Sequence, residues 1–172
     1  LPIRYNRDIR KKGIVMKKAF VFDFDDTLVK TDCRVIVRSV DGLTRYLSPA
    51  EFNYYVPSVD DVCDFSEFEC VINPVGLETL ELAKQVDSER HDVYILTARN
   101  NNAKNPIVEF IRMCGINAKE VYCVGDSGSD IAQQKRTVLL TIMQEYDKIY
   151  FYDDHAHNVE AAKEIGVKAY KV

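Results

Sequence analysis

No apolar run in this chain approaches the roughly 18 residues that a membrane-spanning helix needs. No Cys-x-x-Cys pair occurs among Cys33, Cys63, Cys70, Cys114 and Cys123, and no cysteine joins His155 and His157 at ligand spacing. Zinc binding is therefore not expected, and turn histidines of this kind read as solvated. The cysteines are odd in number and no export signal is visible, so they read as reduced thiols. A soluble, cytoplasmic protein is expected. Internal repeats are absent, and so is any low-complexity tract beyond Asn100-Asn101-Asn102. Nor is there an excess of basic charge: 23 Lys and Arg face 27 Asp and Glu, for a net charge of −4. That balance argues against bulk non-specific nucleic-acid binding, while leaving room for a local basic patch.

What is present is ordinary for a globular protein, with 47% apolar and 29% charged residues. A length of 172 residues suits one domain with a small insertion. The first eighteen residues differ, with seven bases (Arg4, Arg7, Arg10, Lys11, Lys12, Lys17, Lys18) against Asp8 alone. A start-like Met-Lys-Lys occurs at Met16. Residues 1–15 read as a basic leader or arm, and residues 16–172 as a single domain.

Short apolar runs at 18–22, 93–96, 121–124, 149–152 and 167–170 have the near-continuous character of parallel strands covered on both faces. Helical periodicity lies between them. Asn73-Pro74 and Asn105-Pro106 each look like an N-cap followed by proline at the first helical position. Gly115 closes the helix that follows Asn105. Further helices are expected over about 129–145 and 156–165, the latter ended by Gly166. Alternation of this kind specifies an α/β fold with a parallel sheet of about five strands. One stretch departs from it. Residues 34–47 alternate with period two around Asp41-Gly42, a hairpin signal with a two-residue turn. The hairpin belongs to an insertion at about 31–72, whose acidic and aromatic residues 57–70 read as an irregular segment or short helix.

An open α/β sheet binds ligands at the carboxyl ends of its strands. After the first expected strand the chain reads Asp23-Phe24-Asp25-Asp26-Thr27-Leu28, and after the second Thr97-Ala98-Arg99. After the third come Gly125-Asp126-Ser127, and after the fourth Asp153-Asp154. Carboxylates crowded at an apolar edge raise one another's pKa, so a cation is expected among them. Mg²⁺ is the ordinary occupant of such an oxygen site. An aspartate can attack a phosphoryl group, provided a metal and a fixed cation neutralise the phosphate and an acid protonates the leaving oxygen. Lys135 suits the fixed cation: it sits on the apolar helical stripe Ile131, Val138, Ile142, where burial without a partner would be costly.

These residues resemble the motifs of the haloacid dehalogenase superfamily of phosphohydrolases. Asp23-Phe24-Asp25-Asp26-Thr27-Leu28 matches its D-x-D-x-T-L, Thr97 its second motif, Lys135 its third and Asp153-Asp154 its paired acids. The resemblance covers about 17–171, apart from the insertion. It implies a Rossmann-like three-layer α/β/α fold and an aspartyl-phosphate mechanism with Mg²⁺. Asp23 would be the nucleophile and a metal ligand. Asp25 would be the general acid/base, with its carbonyl on the metal. Thr97, Ala98 and Lys135 would hold the phosphoryl oxygens. Asp153 and Asp154 would complete the metal site, with either one as the direct ligand. Asp26 has no family role and reads as a turn residue. Asp126 and Asp130 form a rival fourth motif, but no lysine on an apolar stripe accompanies them, and Gly125–Asp130 then reads as a capped helix start.

The insertion is too small for a helical lid, which leaves an open site. A two-residue turn would place Arg38 opposite Arg45. Facing like charges call for an anion, either a phosphorylated substrate or the local acids Asp60, Asp61 and Asp64. Arg99 is a further candidate for substrate contact. The expected partner is a phosphorylated small molecule or nucleic-acid end, with no membrane and no obligate protein partner. A phospho-receiver module and a catalytically silent metal-stabilised binding protein are the readings from other classes.

Overall fold

The computed structural model describes residues 16–128 and 130–172. Residues 1–15, and Ser129 at the expected start of the third helix, lie outside the described residues. Strands β1 (Lys18–Phe22), β7 (Asp92–Thr97), β8 (Glu120–Cys123), β9 (Lys148–Asp153) and β10 (Lys168–Lys171) form one sheet in the order β10-β9-β1-β7-β8. Every pairing in it is parallel. The chain runs outward from β1 through β7 to β8, then returns to the other side of β1. The edge where it reverses lies over the ends of β9, β1 and β7, where an α/β sheet opens a crevice.

Helices α2 (Glu78–Ser88) and α3 (Lys104–Met113) pack on one face. Leu80, Ala83, Val86, Ile107 and Ile111 bury there against Phe22, Val93, Ile95 and Val121. Helices α4 (Ile131–Met143) and α5 (Ala156–Glu164) pack on the other, where Leu139, Ile142, Val159 and Ala162 meet Val21, Leu96 and Phe151. Alternate residues of β1 and β7 enter opposite cores, as the period-two pleat requires. The result is the expected three-layer α/β/α arrangement. At the β9–β10 end one face is less covered than a continuous apolar run suggests. There the stacked rings of Phe22, Tyr152 and Tyr170 stand in for a helix, and Tyr170 is half exposed.

The insertion hangs from a two-stranded antiparallel stem, β2 (Val29–Lys30) with β6 (Val75–Gly76). This stem corrects the expected helix start at Asn73-Pro74. Gly76 pairs with Val29 and the Leu77 N–H donates to the Leu28 carbonyl, so the chain is drawn out extended and α2 begins only at Glu78. Asn73 itself turns the chain at φ +45°. The next helix also starts elsewhere than expected. Asn100 caps a 3₁₀ turn at Asn101–Ala103 that leads into α3 at Lys104. Pro106 thus sits in the first turn, where its missing N–H leaves nothing unpaired.

Above the stem, β4 (Thr44–Leu47), β3 (Val35–Arg38) and β5 (Val62–Asp64) form an antiparallel sheet. The hairpin exists, but its register differs by one residue. Arg38 pairs with Thr44 and Val37 with Arg45, so the two arginines do not face each other. Gly42 alone turns left-handed, at φ +83°, and the Ser39 N–H closes on the Leu43 carbonyl. That is a three-residue loop, because a two-residue type I′ turn requires positive φ at Asp41 as well. The segment read as irregular supplies β5, followed by a 3₁₀ turn at Ser66–Glu69. Between hairpin and β5 lies the short helix α1 (Pro49–Phe52), with Ser48 and Glu51 forming a capping box. Among the described residues all five cysteines are free thiols, and no helix is long and apolar enough to cross a membrane.

Candidate active site at the sheet edge

β1 is the central strand of the sheet, and its ladder continues one residue past Phe22, where the Asp23 N–H donates to the Tyr152 carbonyl at 2.9 Å. The chain then reverses within four residues. Leu28 and Val29 N–H groups return to the Phe24 carbonyl, and Asp26 takes φ +55°. Phe24 and Leu28 are fully buried and pin the loop to the core. The apolar positions of the Asp23–Leu28 motif are therefore anchors, and they fix where its acids point.

Asp23 is 5% exposed and Lys135 is 2% exposed. Lys135 Nζ lies 2.6 Å from Asp23 Oδ1 and 2.7 Å from Asp153 Oδ2. The apolar-stripe argument for Lys135 thus has its physical counterpart: the stem runs through the α4 core and the ammonium meets two buried carboxylates. The Thr27 hydroxyl donates to Asp23 Oδ2 at 3.2 Å and accepts the Asp154 N–H at 3.1 Å, which locks the β1 loop to the end of β9. Asp153 also accepts the His155 N–H and two contacts from the Asn158 amide. Both its oxygens are thereby engaged, whereas the Asp154 carboxylate is half-buried and faces the cavity. Sequence reasoning assigned no role to Thr27 or Asn158. Asn158 had a signal, since it lies one helical turn past the paired acids on the core side of α5.

Asp23, Asp153 and Asp154 each offer an oxygen, and these oxygens lie within 4.8 Å of one another. Burial, with Asp153 and Asp25 adding repulsion, outweighs the pull of Lys135 and pushes the Asp23 carboxyl up to about 8. Burial likewise raises Asp154, helped by Asp153 and Asp26. Lys135 is raised, because its two carboxylate partners overcome its desolvation. Three acids thus face one ammonium, and the three clustered ligand atoms are carboxylate oxygens. That donor set fits a hard divalent cation such as Mg²⁺.

Asp25 points the other way, toward the insertion. Its two oxygens accept Arg99 Nε at 2.8 Å and Nη2 at 2.7 Å, a bidentate pair. Arg99 is 4% exposed and lies between the rings of Phe24 and Phe68. Its Nη1 donates to the carbonyls of Phe68 and Cys70. Arg99, expected at the substrate, is therefore bound to Asp25 and to the insertion. Arg38 donates to Asp64 and Arg45 to the Ser39 hydroxyl. Asp64, one of the local acids, thus pairs with Arg38.

Thr97 is buried at the end of β7, and its Oγ1 accepts the Arg99 N–H. Ala98 lines the cavity beside it. Gly125 packs so tightly on the Ala98 and Arg99 backbone that a Cβ there would collide with it. The rival acids are used elsewhere: Asp126 accepts the Asn101 N–H, and Asp130 caps α4. His157 lies 3.4 Å from Asp130 at the surface. The site residues Asp23, Asp25, Thr97, Ala98, Lys135 and Asp154 line one cavity of about 380 Å³.

Neither a family model nor a curated protein matches the sequence. Solved structures do match the fold. A chain of the Pnkp1/Rnl/Hen1 RNA repair complex superposes with a TM-score of 0.61 at 14% identity, over 91% of this chain and 42% of that one. A second chain of a Pnkp1/Rnl/Hen1 complex gives 0.59 at 14%, over 99% and 56%. The D,D-heptose 1,7-bisphosphate phosphatase of B. bronchiseptica, complexed with magnesium and phosphate, gives 0.53 at 12%, over 90% and 79%. A HAD-superfamily hydrolase from Ehrlichia chaffeensis gives 0.53 at 14%, over 91% and 89%. The chain spans about half the length of the RNA-repair chains it matches. It has the haloacid dehalogenase fold.

Proposed function

We propose that residues 16–172 are a Mg²⁺-dependent phosphomonoester hydrolase that works through an aspartyl-phosphate, with residues 31–72 as its small cap. The observation that carries this reading is Asp23. It is a buried carboxylate at the end of the central strand, held between Lys135 and Thr27 beside Asp153 and Asp154. Asp23, Asp153, Asp154 and the Asp25 carbonyl would hold the metal. Bound there, Mg²⁺ supplies charge neutralisation for the phosphate and lets Asp23 stay ionised.

An Asp23 oxygen attacks phosphorus while the bond to the leaving oxygen breaks, and Asp25 gives that oxygen its proton. Asp25 then takes a proton from water, whose oxygen displaces phosphate from Asp23. Lys135, the Thr97 hydroxyl and the backbone after Thr97 meet the phosphoryl oxygens. For both proton transfers Asp25 turns one oxygen away from Arg99, which holds the two of them in this structure, toward Asp23. The fold match to RNA-repair chains and the small cap support a nucleotide or polynucleotide-end phosphate as substrate, by analogy of fold.

The test is release of phosphate from an aryl phosphate with and without Mg²⁺. Asp23→Asn is expected to reduce the rate roughly a thousandfold or more with an unchanged circular dichroism spectrum. If the parent protein releases none, the reading fails, and a metal-stabilised binding protein takes its place.

A further inference from the structure

A second cavity, of about 660 Å³, opens between the sheet edge and the insertion. It shares Asp25, Pro49, Asn53, Ala98 and Ile131 with the smaller cavity, so the two are contiguous. Its size is that of a ligand pocket. One wall is aromatic. Phe52 meets Phe65 edge to face at 5.4 Å between centroids, and Phe65 continues to Phe68 at 6.5 Å. Phe65 is 44% exposed, so part of its ring is open to a stacking partner.

The polar groups in this lining are selective. Arg99 is the cation among the described lining residues, and Asp25 with the Phe68 and Cys70 carbonyls already occupies its donors. Asp126 is an acid with one oxygen on the Asn101 N–H. A second phosphate entering here would meet a carboxylate and phenyl rings, with no unengaged cation among the described lining residues to offset its desolvation. The Asn53 side-chain amide, at the junction of the two cavities, is exposed and free of hydrogen bonds among the described residues. It offers both a donor and an acceptor.

We infer that the larger cavity is a leaving-group subsite for an uncharged, flat aromatic base, so that the substrate is a nucleoside monophosphate. The phosphate lies at Asp23, the ribose passes Asp25 and Asn53, and the base stacks on Phe65 and Phe52. The inference rests on the phosphatase reading for where the phosphate sits. It selects a mononucleotide over a polynucleotide end, because further phosphates find no unengaged cation among the described residues of the subsite.

Calorimetry on Asp23→Asn with Mg²⁺ tests it, since that variant removes turnover. AMP is expected to bind about tenfold tighter than ribose 5-phosphate, from stacking of the base. Phe65→Ala, at an exposed ring, is expected to bring the two ligands level, and Phe52→Ala to do the same. Equal binding of AMP and ribose 5-phosphate would overturn the inference. So would tighter binding of fructose 1,6-bisphosphate or of a 5′-phosphorylated oligonucleotide. Adenosine titrated into the parent protein separates the two readings. If adenosine binds, and binds more weakly to Phe65→Ala, while AMP is not hydrolysed, the subsite stands and the phosphatase reading falls.

Discussion

At the sheet edge Asp23, Thr97, Lys135 and Asp153 are each at most 5% exposed, and bonds between them join residues 112 and 18 positions apart. In the insertion, neither α1 nor the 66–69 turn buries a residue, and Tyr54, Val56 and Val59 stand almost fully in solvent. The edge is a by-product of packing: strand order brings the acids together, and two cores hold them there. The insertion buries Cys33, Val35 and Val37 and is tied to the sheet by the β2–β6 stem, by Arg99 and by the Asn100 and Asn102 amides, which donate to Glu69. Arg99 is a buried side chain shared by both regions, with Asp25 on one side and two insertion carbonyls on the other.

The sharpest way to break this contrast is at Lys135. Lys135→Met leaves two buried carboxylates facing each other, and removing one partner of a buried ion cluster costs about 3–5 kcal/mol. Urea unfolding is expected to show that loss across the whole domain in one transition, and a near-neutral result would contradict it. Arg99→Met comes next. It strands the Phe68 and Cys70 carbonyls and frees Asp25, at an expected cost of about 2–3 kcal/mol. Here the loss is expected to be local: hydrogen exchange should accelerate over residues 31–72 and leave β1 and β9 protected. Uniform acceleration would show that the two regions unfold as one.

A smaller effect is expected from pH. The folded metal-free protein keeps a proton on Asp23 up to about 8, whereas the unfolded chain releases it near 3.8. The folded state therefore binds more protons between those values, so stability rises as pH falls through that window. Tm without metal is expected to be higher at about pH 6 than at about pH 8.5, and Mg²⁺ is expected to flatten the difference. A metal-free Tm that climbs with pH would contradict the electrostatics of the edge. The smallest effect is expected at Arg38, whose pairing with Asp64 is exposed. Arg38→Ala should leave both Tm and KM unchanged, and a raised KM would restore its place at the substrate.

The sheet edge was legible because its signals are local and redundant. Short apolar runs ended in acids, and Lys135 lay on an apolar stripe where an unpaired ammonium could not stay. The bounds of β1 followed directly from its apolar run. What stayed hidden depends on distant partners. Asn73-Pro74 has the local chemistry of a helix start, but Gly76 is claimed by Val29, and a strand pairing across the insertion overrides local propensity. The Asp41-Gly42 signal predicts a turn one residue too short, because it is common to two-residue and three-residue loops. The Arg99–Asp25 bond spans 74 residues and has no periodic trace in the sequence. Asn158 was visible but ambiguous, since a buried amide shows its purpose only when Asp153 is beside it.

The central claim is that Asp23, among the three clustered acids, carries the phosphoryl group. Mixing the protein with Mg²⁺ and excess ³²P-labelled phosphomonoester, quenching in acid and sequencing the labelled peptide by mass spectrometry tests it directly. The account expects label on Asp23 in the parent protein and none in Asp23→Asn. Label on Asp25 or Asp126, or turnover with no covalent label at any quench time, would contradict it.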